Sequence, residues 1–130
     1  MSTPSILGSS KLVAFAITTN PVRTIEFYEG KLGLRFLSQD NFAVVFNCNG
    51  NMLRMAIAKE HTPPKYTVVG WQVSDIETVV AALVDAGVKM NHYGFPTQDA
   101  LGIWTTPDGS KVAWFHDPDG NVLSVSQHNL

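Results

Sequence analysis

Apolar and polar residues alternate along most of the chain in short runs closed by Gly, Pro, Asn and Asp, the pattern of half-buried β-strands. Residues 11–18 (KLVAFAIT), 34–37, 42–46, 52–58, 66–73, 88–91, 101–105, 111–116 and 122–127 read as strands. Two stretches change period. Val22, Ile25, Phe27 and Tyr28 recur at near-helical spacing up to Leu32, and Ile76, Val79, Val80, Leu83 and Val84 form a second apolar stripe. Asn20 before Pro21, and Asp75, supply the N-caps; Gly33 and Gly87 supply the stops.

The order β-α-β-β-β therefore occurs twice, the second time with the short run 88–91 in addition, in modules of about 11–58 and 66–127 within a single domain of residues 1–130. The polar, Pro-containing stretch 59–65 (KEHTPPK) connects them. The second module ends in a meander punctuated by Pro107-Asp108-Gly109 and by Asp117-Pro118-Asp119-Gly120-Asn121. In the latter, Pro118 fixes a negative φ, Asp117 and Asp119 offer side-chain acceptors, and Gly120 is free to take positive φ. Aligning the two N-caps matches Val13 with Val68. Aligning the turns Asn49-Gly50-Asn51 and Asp119-Gly120-Asn121 matches Phe46 with His116 and Arg54 with Ser124.

Composition changes this picture in one respect. Charged residues make up 15% of the 130 positions, against a usual value of about 25%. A surface so poor in charge is expected to be partly covered, by a partner subunit or as a cavity lining. The net charge of −2 and the scattered Lys and Arg residues argue against a nucleic-acid surface. The N-terminal MSTPSILGSS has no basic segment and no apolar run suited to a leader or a membrane span, and the single Cys48 forms no disulfide framework. These features predict a soluble cytoplasmic protein.

Thr24-Ile-Glu-Phe-Tyr28 followed by Leu32-Gly33-Leu34, together with residues 112–123 (VAWFHDPDGNVL), resembles the vicinal oxygen chelate superfamily over residues 11–127. That family includes glyoxalase I, bleomycin-resistance proteins, fosfomycin-resistance thiol transferases and extradiol dioxygenases. The resemblance implies an α+β, glyoxalase-like fold in which paired βαβββ modules curl their sheets around a concave pocket, often completed by a second subunit of a homodimer. It also implies four metal-facing positions, which by motif fall on Val13, Arg54, Val68 and Ser124.

None of those four is an ordinary ligand for a divalent ion, and neither are their sequence neighbours. The expectation is therefore a member without metal or other cofactor. Strand alternation puts Phe15 and Ile17 with Val13, Gly70 and Gln72 with Val68, and Val122 and Ser126 with Ser124. The family register turns Trp114 inward, with Val112 and His116 beside it. The expected pocket thus comprises Val13, Phe15, Ile17, Arg54, Val68, Gln72, Trp114, His116 and Ser124, apolar and aromatic with a few polar contacts. Arg54 either enters the pocket, where an acid or a bound anion would have to pair with it, or snorkels to the surface. Cys48 reads as a bystander thiol, His61 and His128 as solvated, and Trp71 and Trp104 as core or interface aromatics.

Two functions fit. One is a metal-independent binder of a small aromatic or anionic molecule. The other is a lyase, isomerase or dioxygenase-type enzyme working through His116, Gln72 or Ser124.

Overall fold

A computed structural model describes residues 5–95 and 98–129. The N-terminal MSTPSILGSS and the stretch 92–100 between two expected strands lie partly outside these residues. β1 (Val13–Thr18) leads into α1 (Pro21–Ile25), which continues as a π-helix over Glu26–Lys31. β2 (Arg35–Gln39), β3 (Ala43–Cys48) and β4 (Asn51–Ile57) complete the first module. The second consists of β5 (Thr67–Gln72), α2 (Ile76–Asp85), β6 (Trp104–Thr105), β7 (Lys111–His116) and β8 (Val122–Gln127). No described helix is long and apolar enough to cross a membrane.

Each module forms a four-stranded sheet of the same plan, β1-β4-β3-β2 and β5-β8-β7-β6, with the first pair of each parallel. The expected strand 88–91 is reduced to one bridge between Met90 and Phe115, and the expected strand 101–105 to two residues. The caps are as the sequence implies. Asn20 Oδ1 accepts from Arg23 N–H and Asp75 Oδ1 from Thr78 N–H, while Gly33 and Gly87 take positive φ at the helix ends. The apolar spacing of the first helix did not reveal the π segment, in which Leu32 N–H donates to Phe27 O five residues back.

Alternation assigns each strand two faces. Ala16, Val44, Phe46, Leu53 and Met55 from the first sheet and Ala113, Phe115, Leu123 and Val125 from the second join the buried faces of both helices in one core. Phe27 lies 6.4 Å from Phe115 and Tyr28 lies 5.5 Å from Phe46, so the first helix packs against both sheets.

Two register matches need correction. Phe46 faces Leu53 and Phe115 faces Leu123, so the counterpart of Phe46 is Phe115, and His116 is an exposed strand end. The reason is loop length. Asn49 and Gly50 alone join β3 to β4, whereas residues 117–121 join β7 to β8. A bulge at Val68 breaks the second match: Val13 faces Met52 and Thr67 faces Val122, while Val68 packs against the core. Beyond the bulge the modules agree, with Phe15 opposite Arg54 and Gly70 opposite Ser124.

The Asp-Pro-Asp-Gly-Asn turn binds the modules together. Asp117, buried, accepts from Tyr28 Oη–H at 2.7 Å, from Asn121 Nδ2–H, and from the backbone N–H groups of Asp119 and Asn121. Asn121 Nδ2 also donates to Ile17 O at 2.8 Å, and Asp119 accepts from the backbone and hydroxyl of Thr19. His61 is not merely solvated: its Nε2 lies 2.7 Å from Asn121 Oδ1, which fixes the connector to the same turn. Partial burial opposes ionisation of Asp119, but the Thr19 hydrogen bonds outweigh it and hold the carboxyl below its usual range.

Burial first, and then the neighbouring Asp117 charge, raise the Tyr28 phenol far above its usual value. Tyr28→Phe should cost about 2 kcal/mol in urea unfolding, the loss of a buried hydrogen bond to a charged acceptor. The unfolded phenol ionises near 10.0 and the folded one higher, so unfolding is favoured as pH rises past 10.0. Absorbance titration of the native protein should therefore leave Tyr28 protonated until the fold melts. Ionisation of Tyr28 before melting would refute the buried bond.

Candidate functional site

The faces turned away from the core carry most of the residues singled out in the sequence. On the first sheet Val13, Phe15 and Ile17 share a face with Met52 and Arg54. Phe15 is 64% exposed and Val13 is 44% exposed. Arg54 is half-buried between Phe15 and Val45. The backbone N–H groups of Phe42 and Ala43, and to a lesser extent the Arg54 guanidinium, hold the Asp40 carboxyl below its usual range.

On the second sheet Gln72, Ser124, Trp114 and His116 share a face with Gly70 and Trp104. A β-carbon on Gly70 would lie 2.9 Å from Ser124 Oγ, so the buried hydroxyl occupies the space that glycine leaves. The predicted residues thus form two half-sites, one per sheet, with Val68 outside both.

The second half-site is dominated by aromatic rings. Trp104 and Trp114 stack with centroids 6.1 Å apart and planes at 29°. Tyr93 and Phe95 meet Trp114 edge-on at 5.6 and 6.0 Å. Gln98 holds the loop that brings these two rings in, its amide nitrogen donating to Asn91 O and Gly102 O and its oxygen accepting from Tyr93 N–H. Asn91 N–H donates to Trp114 O, and the Asn91 side chain contacts both Tyr93 Oη and His116 Nδ1. The sequence pattern assigns no element to this stretch; its one signal is Tyr93 and Phe95 flanking Gly94.

Three cavities adjoin these faces. The largest of them, about 720 Å³, lies between the modules and is walled by Arg35, Asn47, Cys48, Trp71, Gln72 and Leu83, among others. Trp71 Nε1–H donates to Cys48 Sγ at 3.2 Å there, and the indole stacks on Phe115 at 6.5 Å. A smaller hollow of about 160 Å³, lined in part by Leu12 and Met52, shares Cys48, Gly70 and Trp71 with it. The third, about 330 Å³, is lined by Lys31, Lys89, Asn91 and His116 at the far end of β7. Of the predicted residues, only Gln72 and His116 line these three.

A divalent metal does not fit the positions that the fold would offer it. By motif they are Val13, Arg54, Val68 and Ser124; by strand pairing the facing sets are Phe15 with Arg54 and Gly70 with Ser124. Neither version supplies an imidazole, thiolate or carboxylate. Among the described residues no group of three His, Cys, Asp or Glu side chains converges elsewhere.

The family model of the Glyoxalase/Bleomycin resistance protein/Dioxygenase superfamily matches residues 12–125. Similar solved structures include a glyoxalase/bleomycin resistance protein/dioxygenase from Alicyclobacillus acidocaldarius, with a TM-score of 0.73 and 13% identity over 94% of this chain and 93% of that one. A lactoylglutathione lyase from Agrobacterium tumefaciens has a TM-score of 0.71 and 16% identity over 92% of this chain and 93% of that one. TioX from Micromonospora sp. ML1 has a TM-score of 0.70 and 17% identity over 92% and 98%. No curated protein matches the chain. At these identities the likeness establishes the fold and leaves the chemistry to the residues. With two βαβββ modules and a family match across nearly its whole length, the chain belongs to the Glyoxalase/Bleomycin resistance protein/Dioxygenase superfamily.

Proposed function

We propose that this protein binds a small planar aromatic molecule without a metal, stacking it on the Trp104–Trp114 face of the second sheet. The observation that carries this reading is the four-ring cluster of Tyr93, Phe95, Trp104 and Trp114 on that face. Half-buried indoles offer broad stacking surface, and Trp114 Nε1–H and Ser124 Oγ–H are available chemistries for orienting a polar edge. The absence of ligand-type side chains at the positions facing one another across the strands supports a metal-independent mode. Cytoplasm is the compartment we propose, on the strength of a single cysteine with no disulfide partner.

The second half of this proposal is a homodimer. Val13, Phe15 and Met52 leave an apolar sheet face open to solvent in a chain with 15% charged residues. A second copy of the chain would cover that face and wall in the aromatic half-site, as the low charge content of the surface favours.

Titration with 2-naphthol, followed by Trp emission, tests the binding. Saturable quenching is expected, and Trp114→Ala should weaken it at least tenfold, equivalent to about 1.4 kcal/mol. Trp71→Phe should leave it unchanged; the reverse pattern would move the ligand to the 720 Å³ cleft between the modules. Adding Zn(II), Ni(II), Mn(II) or Fe(II) should not alter the titration, and a stoichiometric metal requirement would defeat the reading. Consumption of the probe, abolished by His116→Ala, would favour an enzyme instead.

Light scattering after size exclusion should give about twice the 14.2 kDa chain mass. Phe15→Glu, which sets a carboxylate into the open apolar face, should return the protein to a monomer while preserving its circular dichroism. A monomeric wild type would remove the second copy from the proposal.

A further inference from the structure

The cavity at the far end of β7 has a different character from the aromatic face. Its volume is about 330 Å³, and its lining brings Lys31, Lys89, His116 and Asn91 together around the edge of Phe27. We infer that this cavity is a binding site for the oxyanion of a small molecule, a phosphate or carboxylate group, held between the ammonium groups of Lys31 and Lys89 with His116 as a further donor.

Three independent features support this assignment. The first is charge. Lys31 and Lys89 form no ion pair among the described residues, where Lys111–Glu77 is the ion pair formed. The acid in the cavity wall, Asp117, is already committed. Its Oδ1 accepts from two backbone N–H groups and its Oδ2 from Tyr28 and Asn121, so it has no acceptor left for a lysine. Two ammonium groups beside a concave surface, with the local carboxylate saturated, are complemented by an anion from solution.

The second feature is backbone geometry. Lys31 closes the π-helix that also carries Phe27, and the widened turn is where that segment departs from ordinary helix, as such turns do at functional sites. Gly87, at the end of the second helix with φ of 91°, lies beside the lysine: a β-carbon there would be in ordinary van der Waals contact, 3.6 Å from Lys31 Nζ, which puts that ammonium against the cavity wall. Lys89 then follows two residues later on the same wall.

The third is the placement of His116. Its Nδ1 lies 2.9 Å from Asn91 Nδ2 and 3.2 Å from Asn91 Oδ1, so the Asn91 amide fixes the ring through that nitrogen at the cavity wall. Asn91 also bonds Tyr93, so one side chain joins the cavity to the aromatic cluster. The site does not depend on an aromatic ligand: inorganic phosphate alone suffices to probe it.

Titrations with inorganic phosphate and, separately, with acetate test the inference, followed by backbone amide shifts of Gly87, Val88 and Lys89 and by the His116 ring protons. Saturable shifts confined to these groups are expected, weakening as sodium chloride is added. Phosphate binding alone identifies a phosphoryl ligand, and acetate binding a carboxylate; absence of both overturns the site. The double variant Lys31→Gln/Lys89→Gln, whose side chains are exposed and whose fold is checked by melting temperature, should bind at least tenfold more weakly. Lys111→Gln, a surface lysine outside the cavity, should bind as the wild type does. Equal loss in both would mean diffuse attraction to lysines and would overturn the assignment.

Discussion

The Asp117 carboxylate is the point on which the two modules depend. It is nearly inaccessible to water and has no cationic partner among the described residues, yet its charge is met by four hydrogen bonds, two from backbone N–H groups of its own turn, one from the Asn121 side chain and one from Tyr28 in the other module. A buried anion is tolerable only when its lone pairs are satisfied in this way. The phenol in turn needs Asp117, because a Tyr hydroxyl at that depth has no water to bond. Removing the phenol takes one of the four bonds from Asp117, and removing Asp117 leaves the buried Tyr28 hydroxyl without its acceptor. This coupling explains why Phe27-Tyr28 and Asp117-Pro-Asp-Gly-Asn121 read together as a signature: they are one interaction written in two parts of the chain.

That origin also explains why the signature says so much about fold and so little about chemistry. The side chains of Tyr28, Asp117, Asp119 and Asn121 are consumed by one another and by the end of β1 and the residue after it, through Ile17 O and Thr19. The open sheet faces lie elsewhere, and none of these hydrogen bonds constrains their side chains. Here the first carries valine, phenylalanine, isoleucine and methionine, and the second carries tryptophan, serine, glutamine and histidine.

The strands were legible because period-2 alternation and Gly-centred turns are local properties; β7 and β8 have the limits that the sequence implies. The helix caps were legible for the same reason. What escaped is non-local or involves a single inserted residue. The π segment keeps Phe27 and Tyr28 near helical spacing, so the apolar pattern does not distinguish it from α-helix. The bulge at Val68 leaves the strand's composition unchanged while removing one residue from its alternation. Matching Phe46 to His116 assumed that two glycine turns have equal length, and a five-residue loop is not a two-residue one. Of the candidate site, Trp114 and its strand neighbours were accessible to alternation. Tyr93 and Phe95 were not, because Gln98, seven residues from Asn91, shapes the loop that carries them.

The arrangement along β7 gives the second module a polarity that its fold alone does not require. Trp114 and His116 project from the same face two residues apart, a separation of about 7 Å along a strand. Trp114 is surrounded by rings, while His116 opens onto the lysine-lined hollow, and Asn91 touches the side chains at both places. Aromatic attraction is short-ranged and indifferent to salt, whereas the attraction of Lys31 and Lys89 for an anion acts at longer range and is screened. A molecule with a planar ring and an acidic substituent would meet both, the charge drawing it to the rim and the rings holding it. A ligand with only one of the two features would use half of the surface. On the two proposed sites together, the adjacency of the environments would favour aryl acids and aryl phosphates over neutral aromatics, a preference set by the two-residue period of one strand.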